Sequence, residues 1–138
     1  MRVLCLDVGE RRIGFSLSDT TCTIAQALKV YNRHSLKRDL EEIKKITDAY
    51  NVTQIVVGLP KNLNGSVGKK GEEVIDFARA IEEYTSVSVD LWDERFSTNE
   101  AHRMFSMAGV RHKKRKASVD MIASQIILQG YLDAHKKT

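Results

Sequence analysis

The sequence predicts an α/β fold with a mixed five-stranded sheet, and three observations predict it. Three short apolar segments separated by turns open the chain as a meander, two further apolar segments alternate with segments of helical periodicity, and helical segments close it. The predicted order is βββαβαβαα, with helices on both faces of the sheet. A length of 138 residues with 42% hydrophobic and 29% charged residues predicts one globular domain over 1–138.

The predicted strands are short apolar runs bounded by polar residues or glycines. They lie at 3–6, 13–17, 27–31, 54–57 and 87–92. The first run is apolar without interruption until Asp7 ends it. Such a run is typical of a strand that is buried on both faces.

The predicted helices repeat apolar residues at intervals of three and four. They lie at 35–50, around 74–81, from 97 to about 107 and from about 117 to 135. Ser35 is positioned to cap the first helix, and Ser97 with Glu100 forms a capping box for the third. Between the first two helical regions, residues 61–71 hold three glycines and two asparagines, a composition that predicts a mobile loop.

The chain is basic, with 22 Lys and Arg against 18 Asp and Glu and a net charge of +4. This excess alone is weak evidence for a polyanionic partner. Its placement is more informative, because residues 111–116 read RHKKRK and precede Asp120 directly. The alternatives for this segment are a solvated charge run and a phosphate-binding segment, and its position favours the second.

Nothing near Met1 has the pattern of a secretory signal, and no apolar stretch approaches the ~20 residues that span a bilayer. Cys5 and Cys22 lack a CxxC spacing, which favours thiols in a reducing compartment. We therefore expect a cytoplasmic protein without membrane contact.

Acidic residues in three segments differ in placement from the other acids. Asp7 ends the first strand, Asp93 and Glu94 end the fifth, and Asp120 adjoins a small, apolar helix face in what is predicted to be the first turn of the last helix. Each has a purely structural interpretation, as a turn residue, a strand-end ion pair or a helix-dipole partner. Strand alternation lets only one of Asp93 and Glu94 share a site with Asp7.

Clustered carboxylates repel one another and lose hydration unless a cation compensates them. Mg²⁺ suits such sparse oxygen ligands, whereas the sequence offers no cluster of Cys and His for zinc. The remaining acids are interpreted as solvated surface, among them Asp39, Glu41, Glu42, Glu72 and Glu73.

Four motifs resemble those of the YqgF family, in the family's order and over essentially the whole chain. They are DVGERRIGFSLSD at 7–19, VVGLPKNLNG at 56–65, WDERFST at 92–98 and VDMIAS at 119–124. The family is described as pre-16S rRNA nucleases or Holliday-junction-resolvase-like proteins with an RNase H-like fold. The resemblance therefore implies that fold, a hydrolase of ribosomal RNA maturation, and Glu94 rather than Asp93 as the site acid. Ser16 and Ser124 depart from the pattern, since many relatives have Ala there.

The resulting hypothesis is that Asp7, Glu94 and Asp120 hold one or two Mg²⁺ or Mn²⁺ ions and cleave a phosphodiester bond. The partner is then a nucleic acid, either precursor rRNA or branched DNA. The predicted nucleic-acid contacts are Lys61, Asn62, Arg95, Arg111, Lys113, Lys114, Arg115 and Lys116. Arg95 has the alternative role of orienting Asp93, and a part for Glu10 beside Asp7 stays open.

Three other functions compete with a nuclease of precursor rRNA. A Holliday junction resolvase uses the same acids on branched DNA. A noncatalytic RNA-binding assembly factor retains them as structure. A phosphate binder of the actin or sugar-kinase type also uses a D-x-G hairpin, but the chain contains no second D-x-G opening to pair with the first.

Overall fold

The computed structural model describes residues 1–94 and 112–135, with side chains described for 1–94 and 122–135. Its strands are β1 (Arg2–Val8), β2 (Arg12–Ser18), β3 (Ala25–Asn32), β4 (Val52–Leu59) and β5 (Ser88–Asp93). They form one sheet in the order β3-β2-β1-β4-β5. The three N-terminal strands are antiparallel neighbours, and β1, β4 and β5 run parallel. The predicted mixed five-stranded sheet is confirmed.

The described helices cover both faces of this sheet, as predicted. They are α1 (Leu36–Ala49), α2 (Lys69–Thr85) and α3 (His112–Ala134). Ser35 caps α1 by accepting a hydrogen bond from the Arg38 amide at 3.2 Å. The helix predicted from 97 to about 107 lies outside the described residues. None of the helices within the described residues is long and apolar enough to cross a membrane.

Strand β1 is buried on both faces, which explains its uninterrupted apolar sequence. Leu4 and Leu6 pack into a core with α1 and α2. Val3 and Cys5, which alternate with them, pack against α3. By the same alternation, Asp7 lies on the α3 face of the sheet.

Two predicted boundaries are wrong. Helix α2 begins at Lys69, so the loop predicted over 61–71 ends earlier. A Cβ at Gly71 would lie only 2.9 Å from the Pro60 carbonyl oxygen and 2.6 Å from Val67, so this glycine permits close packing inside a helix. Helix α3 begins at His112 instead of near 117, because Lys and Arg are good helix formers. Asp120 therefore lies more than two turns into α3.

The interpretation of Asp39 as solvated surface is also wrong. Its side chain is buried, with the residue only 1% exposed. It accepts hydrogen bonds from the Tyr31 hydroxyl at 3.1 Å, the Arg33 Nε at 3.0 Å and the His34 amide at 3.0 Å. Three donors, one of them the Arg33 guanidinium, compensate the buried carboxylate, whereas helical periodicity reports only a polar residue.

Candidate active site

Asp7 lies at the carboxyl end of the central strand β1, between two glycine positions. On the β2 side its register partner is Gly14. On the β4 side Leu6 pairs with Val57, so the next residue of β4 is Gly58. Glycines on both neighbouring strands leave space above the sheet beside the Asp7 side chain, because neither adds a side chain to that face.

Glu94 reaches this space from β5. Its backbone amide donates a hydrogen bond to the Leu59 carbonyl at 3.2 Å, which places the residue directly beyond the β4–β5 ladder. Its carboxyl group then lies over Gly58. A Cβ on Gly58 would stand 2.5 Å from Oε2 of Glu94 and 2.9 Å from Cδ1 of Ile127 on α3. Any side chain at position 58 would therefore displace Glu94 or Ile127.

The Glu94 carboxyl is poorly compensated by the protein. Its Oε2 atom is buried and has no hydrogen-bond partner within the described residues. Burial, and then the charge and hydrogen bonding of Asp7, raise the pKa of Glu94 to about 8, against the opposing influence of Lys70. Without a cation, this site thus favours a protonated Glu94.

These features fit a divalent cation with oxygen ligands. Two adjacent carboxyl groups, one with a buried oxygen that has no partner in the part of the chain that the structure describes, supply the anionic oxygens that Mg²⁺ and Mn²⁺ accept. A cation would also reverse the unfavourable desolvation and repulsion that raise the pKa of Glu94. The burial and donor chemistry of Asp7 and Glu94 therefore fit a divalent cation.

Asp93 is arranged differently from its neighbour Glu94. Asp93 pairs with Leu59 in the β4–β5 ladder, and its Oδ2 lies 3.9 Å from Nζ of Lys61. Lys61 is thus one ion-pair partner of Asp93. The Arg95 partner considered from the sequence lies outside the described residues. Glu94 is the acid whose carboxyl lies against Asp7, and the role that the family resemblance implies for it stays a prediction.

The predicted third acid belongs to helix α3. Asp120 lies in the backbone of α3, one turn before Ser124, and its side chain lies outside those described, as do those of the basic residues at 113–116. Arg111 also falls outside the described residues. Among the side chains of 1–94 and 122–135, no group of three His, Cys, Asp or Glu is placed to hold a metal ion.

Glu10 faces a separate cavity of about 120 Å³ on the α2 side of the first hairpin. Val8, Arg33 and Phe77 line the same cavity, and Val8 points away from the face that carries Asp7. A metal-binding part for Glu10 gains no support from this position.

The loop after β4 begins with the two predicted phosphate contacts Lys61 and Asn62. Asn62 closes a compact turn, because its amide donates to the Ser66 carbonyl at 2.9 Å and its Nδ2 to the Ser66 hydroxyl at 2.9 Å. Lys61 stands at the site edge through its contact with Asp93. Nucleic-acid binding by either residue stays a prediction.

Sequence reasoning missed two parts of the site. Gly58 is one, and the signal was a glycine inside an otherwise apolar strand, which marks a close approach of another group. The other is a buried link between β2 and α3: the Ser16 hydroxyl lies 2.8 Å from the Ser124 hydroxyl, which donates to the Cys5 carbonyl at 3.1 Å. Ser16 and Ser124 are the two departures from the family pattern, and they contact each other.

Comparison with known proteins gives a consistent result. A family model described as "RuvX: Holliday junction resolvase" matches residues 1–134. Proteins named "Putative pre-16S rRNA nuclease" are similar to this chain: one from Carboxydothermus hydrogenoformans is 46% identical over 137 residues, covering 99% of each chain. One from Clostridium novyi is 46% identical over 134 residues, covering 97% of this chain and 99% of its own.

Two solved structures share the fold at low sequence identity. Thermus thermophilus RuvC in complex with a Holliday junction substrate has a TM-score of 0.61 at 14% identity, covering 97% of this chain and 94% of its own. The fowlpox virus resolvase with Holliday junction DNA has a TM-score of 0.63 at 12% identity, covering 99% and 100%. The predicted RNase H-like fold is confirmed.

Proposed function

Because the chain belongs to the RuvX family, we propose that it is a divalent-metal-dependent nuclease that hydrolyses phosphodiester bonds of precursor 16S rRNA. The position of the Glu94 carboxyl supports this proposal most directly. It lies over Gly58 and against Asp7, and one of its oxygens is buried without a hydrogen-bond partner among the described residues. The names of relatives 46% identical over almost the whole chain support the choice of substrate.

Asp7, Glu94 and Asp120 are the residues proposed to hold the metal. A bound Mg²⁺ or Mn²⁺ ion supplies Lewis-acid stabilisation of phosphoryl oxygens and lowers the pKa of a water molecule. Glu94 must be deprotonated to take part, and a neighbouring cation favours that form. Ile127 and Gly58 close the inner side of the site, so that the Glu94 carboxyl is kept out of bulk water on that side.

Two lysines extend the site towards a polyanion. Lys61 contacts Asp93, and Lys70, at the start of α2, lies close enough to Glu94 to lower its pKa. Ammonium groups beside the acids can bind phosphates of any sequence, since contacts to the phosphate backbone carry no base information. The basic residues at 111–116 are proposed to continue this surface.

The test is cleavage of precursor 16S rRNA and of four-way junction DNA side by side, in Mn²⁺ and in Mg²⁺. We expect metal-dependent cleavage of the RNA by the wild-type protein and none by Asp7→Asn. A folded Asp7→Asn protein that cleaves at the wild-type rate would contradict the proposal. RNA binding without any cleavage would instead favour a noncatalytic assembly factor.

A second candidate is resolution of branched DNA, which the description of the matching family model favours. The same acids serve either substrate, because the chemistry at the phosphate is identical. Faster cleavage of the junction than of the precursor RNA in the same assay would select this function.

A further inference from the structure

Arg33, which is partly exposed, forms an ion pair with the buried Asp39 that no predicted function uses. Arg33 follows β3 directly, and its Nε donates to Oδ2 of Asp39 in the first turn of α1 at 3.0 Å. The guanidinium also lies 4.8 Å above the centre of the Phe77 ring on α2. Asp39 also accepts hydrogen bonds from the Tyr31 hydroxyl and the His34 amide, so three donors together fix the position of its carboxylate.

The free end of this guanidinium holds the β1–β2 turn. Its Nη1 donates to the Gly9 carbonyl at 2.9 Å, and the Arg33 backbone amide donates to the Arg11 carbonyl at 2.8 Å. The turn has an internal bond as well, from the Gly9 amide to the Arg12 carbonyl at 2.8 Å. Three hydrogen bonds therefore fix a turn that begins two residues after Asp7.

The position of this turn bears directly on the Asp7 carboxyl. Asp7 and Val8 are the last β1 residues in the β1–β2 ladder, paired with Gly14 and Ile13. The ladder ends there, so the turn is what keeps this end from fraying. We propose that Arg33, anchored by Asp39, is a positioning residue that holds Asp7 in the geometry required to share a metal ion with Glu94.

This inference deepens the proposed function and rests on it. Arginine suits the role because its planar group donates to Asp39 and to Gly9 at once, in a fixed fork. A lysine at 33 could keep the charge and the packing on Phe77 but could not make both bonds in that geometry. Outer partners of metal-binding groups act in this way, by orienting the groups that touch the metal.

The test compares Arg33→Met with Lys29→Met. Lys29 pairs with Glu42 and so also joins β3 to α1, but its register partner Phe15 lies in the middle of β2, away from the turn. We expect Arg33→Met to weaken Mn²⁺ binding by ~10–100-fold in calorimetry. We also expect amide hydrogen exchange at Gly9 to accelerate by on the order of 10-fold or more, as its local structure opens. Lys29→Met should leave both unchanged.

An Arg33→Met protein whose Mn²⁺ affinity and Gly9 exchange both match those of Lys29→Met would overturn the inference. If Arg33→Met does not fold, Arg33→Lys serves in its place, with the same two measurements and the same direction. A wild-type protein that binds Mn²⁺ but cleaves neither RNA nor junction DNA overturns the proposed nuclease alone. Weaker Mn²⁺ binding by the Arg33 variant would then still support the positioning role.

Discussion

Asp39 and Glu94 are both carboxylates with restricted access to water, and they differ in what compensates their burial. Asp39 has the Arg33 guanidinium and two further donors. Glu94 has Asp7 against it and a buried oxygen without a partner among the described residues. A buried charge that the fold satisfies is structural, whereas one that it leaves unsatisfied is typical of a functional site.

The sequence distinguished these acids only in part. Asp7 could be selected because it ends an apolar strand, and Glu94 because its motif resembles one in the family. Asp39 could not be selected, since it lies in a helix among charged residues and its partners come from another segment. Burial of a polar residue depends on tertiary contacts, which periodicity within one helix does not contain.

The pKa of Glu94 predicts a pH dependence of stability in metal-free protein. The folded state raises this pKa from 4.5 to about 8, so folding favours the protonated acid. The corresponding stability is fully present below pH 4.5 and is lost as the pH rises through about 8. We expect the free energy of unfolding of Glu94→Gln to exceed that of the wild type by an amount that grows across this window.

Urea unfolding of both proteins in the presence of a metal chelator measures this difference. The measurements run from pH 5 to pH 9 at intervals of about half a pH unit. A difference of about one pH unit between the pKa values of the folded and unfolded states corresponds to ~1.4 kcal/mol of unfolding free energy. A difference between the two proteins that stays constant with pH would show that Glu94 is not held in its protonated form.

Gly58→Ala tests the close approach of Glu94 to β4. The new Cβ would lie 2.5 Å from Oε2 of Glu94 and 2.9 Å from Ile127, so one of them must move. We expect cleavage to fall by ~100-fold, the effect of displacing a catalytic group by about 1 Å. Overpacking should also cost ~1–3 kcal/mol of unfolding free energy.

Gly130→Ala is the matched control for that substitution. Its Cβ would meet Trp92 Nε1 at 3.6 Å, an ordinary contact. Because Gly130 lies inside α3, alanine there should stabilise the protein by ~0.5–1 kcal/mol without loss of cleavage. Equal activities of the Gly58 and Gly130 variants would disprove the close approach.

At the scale of elements, the contact between α3 and the sheet determines where Asp120 can lie. Ser124, one turn after Asp120, is fixed to Ser16 on β2 and to the Cys5 carbonyl on β1. The bond to Cys5 attaches the helix to the strand that carries Asp7, at a point two residues before Asp7. The two hydroxyl groups thus form a buried polar contact between the elements that supply two of the proposed ligands.

A double-mutant cycle measures this contact. We expect Ser16→Ala and Ser124→Ala each to lower the unfolding free energy by ~0.5–1.5 kcal/mol, because each leaves its partner hydroxyl less well satisfied. The double variant should lose less than the sum of the two, since neither hydroxyl of the pair then remains to be left without its partner. Strict additivity in denaturant unfolding would mean that the two side chains do not interact.

The boundaries of the elements were less predictable than their existence. Helix α3 starts at His112, five residues before the predicted start. The prediction was late because it treated the run of charged residues as a segment separate from the helix. Helix α2 includes Gly71, which was assigned to a loop on the basis of glycine content. In both cases the local composition was ambiguous. Lys and Arg are good helix formers as well as typical surface residues, and Gly71 allows Pro60 and Val67 to pack closely against α2.

At the scale of the whole molecule, the sheet order brings the site together. With β1 and β4 adjacent at the centre and β5 beyond β4, Asp7 lies next to Gly58, and Glu94 reaches across the residue that lacks a side chain. The order of the described elements along the chain was predictable from periodicity. The order of strands in the sheet was not, because it depends on which edges pair, and such long-range pairing leaves no local pattern.

The distribution of charge over the molecule predicts how the nucleic acid is bound. Lys61 lies beside the site acids, so Lys61→Gln should weaken RNA binding about equally for all sequences. The slope of the logarithm of the binding constant against the logarithm of the salt concentration should fall by the amount expected for about one phosphate contact. Fluorescence anisotropy at several salt concentrations measures both. Lys45→Gln, the same change of charge at an exposed position of α1, should have no such effect. Equal salt slopes for the two variants would remove Lys61 from the interface.

The most direct test of the whole account is calorimetric titration of Mn²⁺ into the wild-type protein, Asp7→Asn, Glu94→Gln and Asp120→Asn. Asp133→Asn, near the other end of α3, serves as the control. If the three acids converge on one ion, each of their variants should weaken binding by on the order of 100-fold or more, beyond what outer partners contribute. Wild-type affinity in a folded Asp120→Asn protein would contradict a site built from these three acids.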